Sequence, residues 1–214
     1  MHIKIFTKKT IYLPTLTGWF LIILFFVVLS FVFLKNIHSF LSPVKYIKSD
    51  VAVVHGWLPD YALKKVVEDF EKNNYKLILV TGGPLDYGNY LVNYNSYARV
   101  AFKTLIKLGL DSSKIIEIPS PYVIKDRTYT EAISLKKWMT INLPNVKTVN
   151  LYSLGCHSRR SKLLFSKALG KDVKIGIIAC VSNEYDPKKW WKYSEGIKKV
   201  FGETFAYIYS IFFY

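Results

Sequence analysis

From Asp50 onward the chain alternates short apolar runs with stretches of helical period. The runs at 51–54, 77–80, 115–118, 146–152 and 173–179 are rich in Val, Ile and Leu, as expected of strands covered on both faces of a parallel sheet. Between the first two, Leu63, Val66, Val67 and Phe70 fall at i, i+3, i+4 and i+7, with Lys64, Lys65, Glu68 and Asp69 on the other side. Ala98, Ala101, Leu105 and Leu108 repeat at the same spacing and stop at Gly109, a residue that ends helices well. A third helix starting near Thr128 or Thr130 turns Ala132, Leu135 and Met139 inward and ends before Pro144; Leu164, Phe165 and Ala168 line a fourth. Five strands separated by amphipathic helices predict an α/β domain over 50–214, with a parallel five-stranded sheet covered on both faces. The last stretch, 190–214, sets Ile197, Val200, Phe201, Phe205, Ile208 and Phe212 on one broad stripe. Packing on the sheet is the expected fate of that stripe, and the membrane interface is the alternative.

The N-terminal pattern is different in kind. No charge occurs from Thr10 to Leu34, and residues 20–34 are apolar apart from Ser30. A helix of about 20 such residues crosses a bilayer, and this run is longer than a cleaved signal's apolar segment and lacks a small-x-small cleavage site after it. The chain is therefore expected to comprise a short basic segment (1–16), a transmembrane signal anchor (17–35), a linker (36–49) and the α/β domain. Lys4, Lys8 and Lys9 precede the span, while Lys35, Lys45 and Lys48 follow it more sparsely with Asp50 among them, which favours a cytoplasmic N-terminus and a domain on the far side.

Charge narrows the partners. The formal net charge is +15; six lysines and no acid precede Asp50, so +9 remains on residues 50–214. No recognition helix, zinc finger or aromatic RNA-binding motif accompanies it, so the expected partners are a membrane surface and an anionic small molecule, with no nucleic acid. Cys156 and Cys180 are the only cysteines and give no zinc framework. Both follow predicted strands, which leaves open either a disulfide or two unpaired small apolar residues.

In a parallel sheet the C-terminal ends of the strands gather on one rim, where α/β proteins bind ligands. That rim collects His55-Gly56, Thr81-Gly82-Gly83, the 119–130 loop, the turn Cys156-His157-Ser158-Arg159-Arg160 and the 180–186 loop. Gly82 and Gly83 serve either a tight turn or a close approach of backbone N–H groups to an anion. Arg127 and Arg160 offer planar forks to phosphate or carboxylate, with Thr128 beside the first at a helix start. His157 is placed for general acid or base work, with Asp126, Glu131 or Glu184 as candidate orienting acids. There is no G-x-G-x-x-G, Walker or G-x-S-x-G pattern, and His55, His157 and an acid match no metal-ligand spacing. No cofactor follows from the sequence.

The order of these motifs resembles the YdcF/SanA/ElyC family of domains of unknown function, over residues 50–201 and in the anchor before them. The family's Ser-Gly-Gly reads here as Thr81-Gly82-Gly83, its His-x-x-Arg-Ala as His157-Ser158-Arg159-Arg160-Ser161, and the SanA-type Arg-Thr as Arg127-Thr128. Where many relatives have Thr-x-Glu-Asn, this chain has Thr128-Tyr129-Thr130-Glu131, with the acid displaced by one. The resemblance implies a Rossmann-like fold, a place at the bacterial inner membrane with the domain outside the cytoplasm, and a role in envelope polysaccharide or peptidoglycan precursor metabolism. Taken with the residues gathered on the rim, it leaves His157 and Glu131 as the catalytic candidates, and His55, Gly56, Gly82, Gly83, Arg127, Thr128 and Arg160 as the ligand-binding ones for a phosphorylated or nucleotide-like ligand. If the chain is an enzyme, the expected class is hydrolase or transferase on a phosphate-linked precursor. Two other readings stand beside it: a non-enzymatic membrane scaffold, and a cytoplasm-facing nucleotide or S-adenosylmethionine binder.

Overall fold

The computed structural model describes residues 11–86, 90 and 93–214, so the basic N-terminal segment up to residue 10 and part of the loop expected at 85–95 lie outside the described residues. The chain forms two units, Met1–Asn36 and Ile37–Tyr214. Within the first lies most of helix α1 (Leu16–Leu41), which is long and apolar enough to cross a membrane. At about 1.5 Å per residue its 26 residues exceed the ~30 Å of a hydrocarbon core. Pro14 precedes its start, and the Thr15 hydroxyl accepts a hydrogen bond from the Gly18 amide at 3.1 Å, satisfying one of the first-turn donors.

The second unit is built on six strands: β1 (Val44–Lys45), β2 (Val51–His55), β3 (Leu77–Gly82), β4 (Ile115–Pro119), β5 (Thr148–Leu154) and β6 (Lys174–Cys180). Their order is β1-β6-β5-β2-β3-β4; the five longer strands are parallel and β1 runs antiparallel at the edge. The expected five parallel strands are thus present, and the sixth corrects the count. Its residues fall in the stretch expected to be a linker, which instead contains the end of α1, with Ile37, His38 and Leu41 buried, and this edge strand. A two-residue strand next to Pro43 has too little pattern to be read from sequence.

Helices α2 (Asp60–Lys72) and α3 (Tyr97–Lys107) cover one face, burying Leu63, Val66 and Leu105 against Ala52, Val54 and Ile78. On the opposite face α4 (Arg127–Asn142) and α5 (His157–Leu169) bury Leu135, Met139 and Phe165 against Val53, Leu79 and Leu151. Alternate residues of each strand therefore feed two separate cores, the physical reason these strands are apolar throughout. After the edge strand β1 the chain passes to the middle of the sheet at β2, builds outward through β3 and β4, then returns to β5 on the other side of β2. The connections after β2 and β5 leave in opposite directions, and the gap between them is where such sheets open a crevice.

Helix α6 (Ser194–Phe213) departs from expectation. Of the six stripe residues only Val200 is buried; Ile197, Phe201, Phe205, Ile208 and Phe212 are exposed. The helix packs against α5 through its other side, and Lys167 Nζ donates to the Ser210 and Ile211 carbonyls at 3.3 and 3.4 Å, meeting groups that the last turn leaves unpaired. Periodicity identified an apolar face correctly but carried no information about what covers it.

Candidate functional site

The rim carries a cleft of about 660 Å³, bounded by the loops after β3, β4 and β6, the β5–α5 turn, and the first turn of α4 and flank of α6. Gly83, Arg127, Thr128, Glu131, His157 and Arg160 line it, so six of the nine sequence candidates come together.

The other three lie beneath or beside it. Gly56 and Gly82 pack against the start of α3: a Cβ on Gly56 would sit 2.6 Å from the Tyr97 carbonyl carbon, and one on Gly82 2.6 Å from the Ala98 amide nitrogen. Hydrogen at these positions lets α3 close onto the sheet. His55 is fully buried at the end of β2, with Nδ1 2.8 Å from Glu131 Oε2 and Nε2 3.2 Å from the Ser161 hydroxyl. Ser153 continues this chain at 3.1 Å from Ser161, and Thr81 donates to the same Glu131 oxygen at 3.5 Å. The His55 ring lies 5.8 Å from that of His157, so this buried network forms the floor under the site.

The centre of the site is a group of three. His157 opens α5 and Arg160 follows one turn later, which places both side chains on the same side of the helix. Glu203 reaches them from α6: its Oε1 is 2.9 Å from His157 Nδ1 and 3.0 Å from an Arg160 Nη2 donor, and its Oε2 accepts from Arg160 Nε at 2.8 Å. Burial by itself raises the Glu203 carboxyl, but the hydrogen bonds and charges of His157 and Arg160 overcome this and hold it well below the usual carboxylate range. His157 moves down because burial disfavours its charged form, against the pull of Glu203. A carboxylate facing a neutral imidazole assigns the tautomer: Nδ1–H donates to Glu203 and Nε2 keeps its lone pair. Nδ1 and Arg160 Nη2, 2.9 Å apart, are then two donors converging on one carboxylate oxygen. His157 Nε2 is buried and has no hydrogen-bond partner among the described residues.

None of the expected acids orients His157. Glu131 is taken by His55, Glu184 lies near Lys199 at 3.9 Å, and Asp126 is the left-handed residue before α4. Glu203 takes that role, and a signal for it existed: it is the only charged residue after Lys199, set among aromatics, where a carboxylate needs a partner. Arg127 pairs with Asp86 at 2.8 Å in an exposed position. Both arginines are thus already matched, and the cleft mixes signs, Lys125 and Lys199 standing against Asp126 and Glu184. Trp57, Tyr97 and Tyr214 add aromatic wall. The arrangement can hold a polar ligand with anionic and ring-bearing parts, and can accept one proton at His157.

Cys156 and Cys180 are free and buried, so the disulfide alternative is not realised. Burial raises both thiols, Cys180 to about 12, which leaves them unreactive. Among the described residues no group of three His, Cys, Asp or Glu is placed to hold a metal ion. No protein-family model matches the chain, and a search of curated proteins finds no match either.

Proposed function

We propose that this chain is a membrane-anchored Rossmann-like protein of the YdcF/SanA/ElyC type. Its rim cleft binds a phosphorylated or nucleotide-like envelope precursor and catalyses hydrolysis or transfer at the phosphate-linked group. The single observation that carries the reading is the unpartnered Nε2 of a neutral His157 whose Nδ1–H is fixed on Glu203. A carboxylate-oriented imidazole with a free lone pair is the arrangement that proton transfer needs. It stands at the first residue of α5, where free N–H groups and the positive end of the helix dipole favour a phosphate.

The site lies at the crevice between β2 and β5, the position at which sheets of this order take their ligands. In the proposed reaction ligand binding uncovers His157 Nε2, which accepts the proton of an attacking water or hydroxyl as its oxygen adds to phosphorus, and returns that proton to the leaving oxygen. Arg160, held by Glu203 in a bidentate fork, balances charge on the phosphoryl oxygens through the guanidinium nitrogen outside that fork. The domain faces outward from the inner membrane, where phosphate-linked precursors are presented by lipid carriers.

The test is a thermal-shift screen of the full chain in detergent against nucleotides, nucleotide sugars and polyprenyl-phosphate head-group mimics, with His157→Ala and Arg160→Ala alongside. A ligand at ~100 times its dissociation constant adds about 2.7 kcal/mol and moves the midpoint by several degrees. A shift seen in the parent and lost in both variants supports the reading. A shift of equal size in the variants places the ligand elsewhere and ends it.

A further inference from the structure

Helix α6 carries an apolar face that the domain leaves uncovered. Ile197, Phe201, Phe205, Ile208 and Phe212 follow one another at steps of three or four residues and are 40–77% exposed. At 100° per residue they occupy roughly 80° of the helix surface and run for about 22 Å along it. The opposite side, bearing Val200, Glu203 and Ser210, faces α5 and the cleft, so the exposure is not an accident of a loosely attached helix. Exposed lysines cluster at one end of the stripe: Lys188, Lys189 and Lys192 in the turn before α6, and Lys198 within it.

A second observation brings the N-terminal end of the domain to this helix. The Phe40 ring, on the last turn of α1, lies 5.8 Å from the Tyr207 ring of α6, and the Arg159 guanidinium sits 3.8 Å from the centre of the same Phe40 ring. Phe40 is three residues into the domain, which begins at Ile37 directly after the apolar span. The N-terminal end of the domain, which follows the apolar span in sequence, therefore lies beside α6. An apolar helix face with aromatic side chains, lysines at one end and a tether to the bilayer a few residues away meets the requirements for lying in the lipid interface. The tether makes docking intramolecular, so even a weak interfacial affinity suffices.

We propose that the exposed face of α6 docks on the lipid headgroup region of the membrane that holds α1, with the five apolar side chains in the acyl boundary and the lysines on anionic headgroups. Because Glu203 lies on the other side of the same helix, docking also fixes the site's orienting carboxylate relative to the bilayer surface. The inference rests on the reading of α1 as a membrane anchor, and its test separates the two.

The full chain is reconstituted into vesicles of phosphatidylcholine and phosphatidylglycerol with an environment-sensitive fluorophore on single introduced cysteines: Phe205→Cys and Phe212→Cys on the stripe, Lys107→Cys on α3, and Val27→Cys within α1. The native cysteines are buried, and the parent protein checks that they take no label. Phe205, Phe212 and Lys107 are exposed, so these replacements leave the fold intact. The expected result is strong quenching of the two stripe probes by lipid spin-labelled near the headgroup, with little quenching by aqueous iodide, while Lys107 shows the reverse. The Val27 probe is quenched by spin label at the acyl terminus. Stripe probes that iodide reaches as readily as Lys107 overturn the inference while Val27 still upholds the anchor. Stripe probes shielded from both quenchers assign the face to a protein partner or a second copy and also overturn it. A Val27 probe that the deep label does not reach removes the anchor and the docking together.

Discussion

Removing the charge of Glu203 is the most revealing single change in the site. Its carboxylate makes three charge-assisted contacts at 2.8–3.0 Å, two with Arg160 and one with His157, while the Arg160 and Glu203 side chains are only 20% and 17% exposed. Breaking a well-buried ion pair from one side costs about 3–5 kcal/mol, because the remaining charge is left without a partner. In Glu203→Gln one acceptor oxygen remains and the guanidinium keeps some solvent, so the expected loss is about 2–4 kcal/mol. For a domain of this size that lowers Tm by roughly 5–15 °C. Replacing both partners, as in Glu203→Gln with Arg160→Met, removes the stranded charge and should restore part of the loss. The sign with pH follows from the direction of the shift. A carboxyl held below its ordinary 4.5 stabilises the fold above that value, and the contribution is lost as pH falls through its folded value. The gap between parent and variant should therefore narrow in acid. The assay is thermal unfolding of the full chain in detergent, followed by near-ultraviolet circular dichroism. A single variant within about 1 °C of the parent, or a double variant less stable than the single, would refute the reasoning.

Two further outcomes follow from the same structure. His157 is held neutral by burial, so the unfolded chain binds its proton near 6.5 before the folded one does, and stability falls as pH drops below that value; His157→Gln should flatten this dependence, read as urea midpoints across a pH series. Gly82→Ala places a methyl 2.6 Å from the Ala98 amide nitrogen and should cost about 1–3 kcal/mol in denaturant unfolding, whereas Gly83→Ala, whose nearest contact is the Ser120 hydroxyl at 3.5 Å, should cost little.

Much of the fold was legible because the sheet is parallel and buried. Each strand reads as an apolar run, each covering helix as a 3.6-residue stripe, and Gly109 marks the end of α3 as expected. β1 was not legible, since two residues beside Pro43 carry no period and pair only because β6 presents a free edge. On the rim, the parallel order put His157, Arg160, Arg127 and Glu131 in one cleft without any local motif. The partners were missed because pairing depends on tertiary contact: Glu131 is brought to His55 by the packing of α4 on the sheet, and Glu203 comes from a different helix, far along the chain from His157. The double glycine divides in function, with Gly82 admitting α3 and Gly83 facing the cleft, a distinction that two identical neighbours in sequence cannot reveal.

Arg160 is the residue proposed to hold an anionic ligand in the rim cleft, beside His157. The measurement that tests it most directly is calorimetric titration of the full chain with inorganic pyrophosphate and with the tightest compound from the ligand screen, for the parent, Arg160→Ala and a surface control, Lys107→Ala. Loss of one charge-assisted contact should weaken Kd in Arg160→Ala by roughly tenfold to a hundredfold or more and leave the control unchanged. Equal affinities in all three proteins would contradict the assignment of the site.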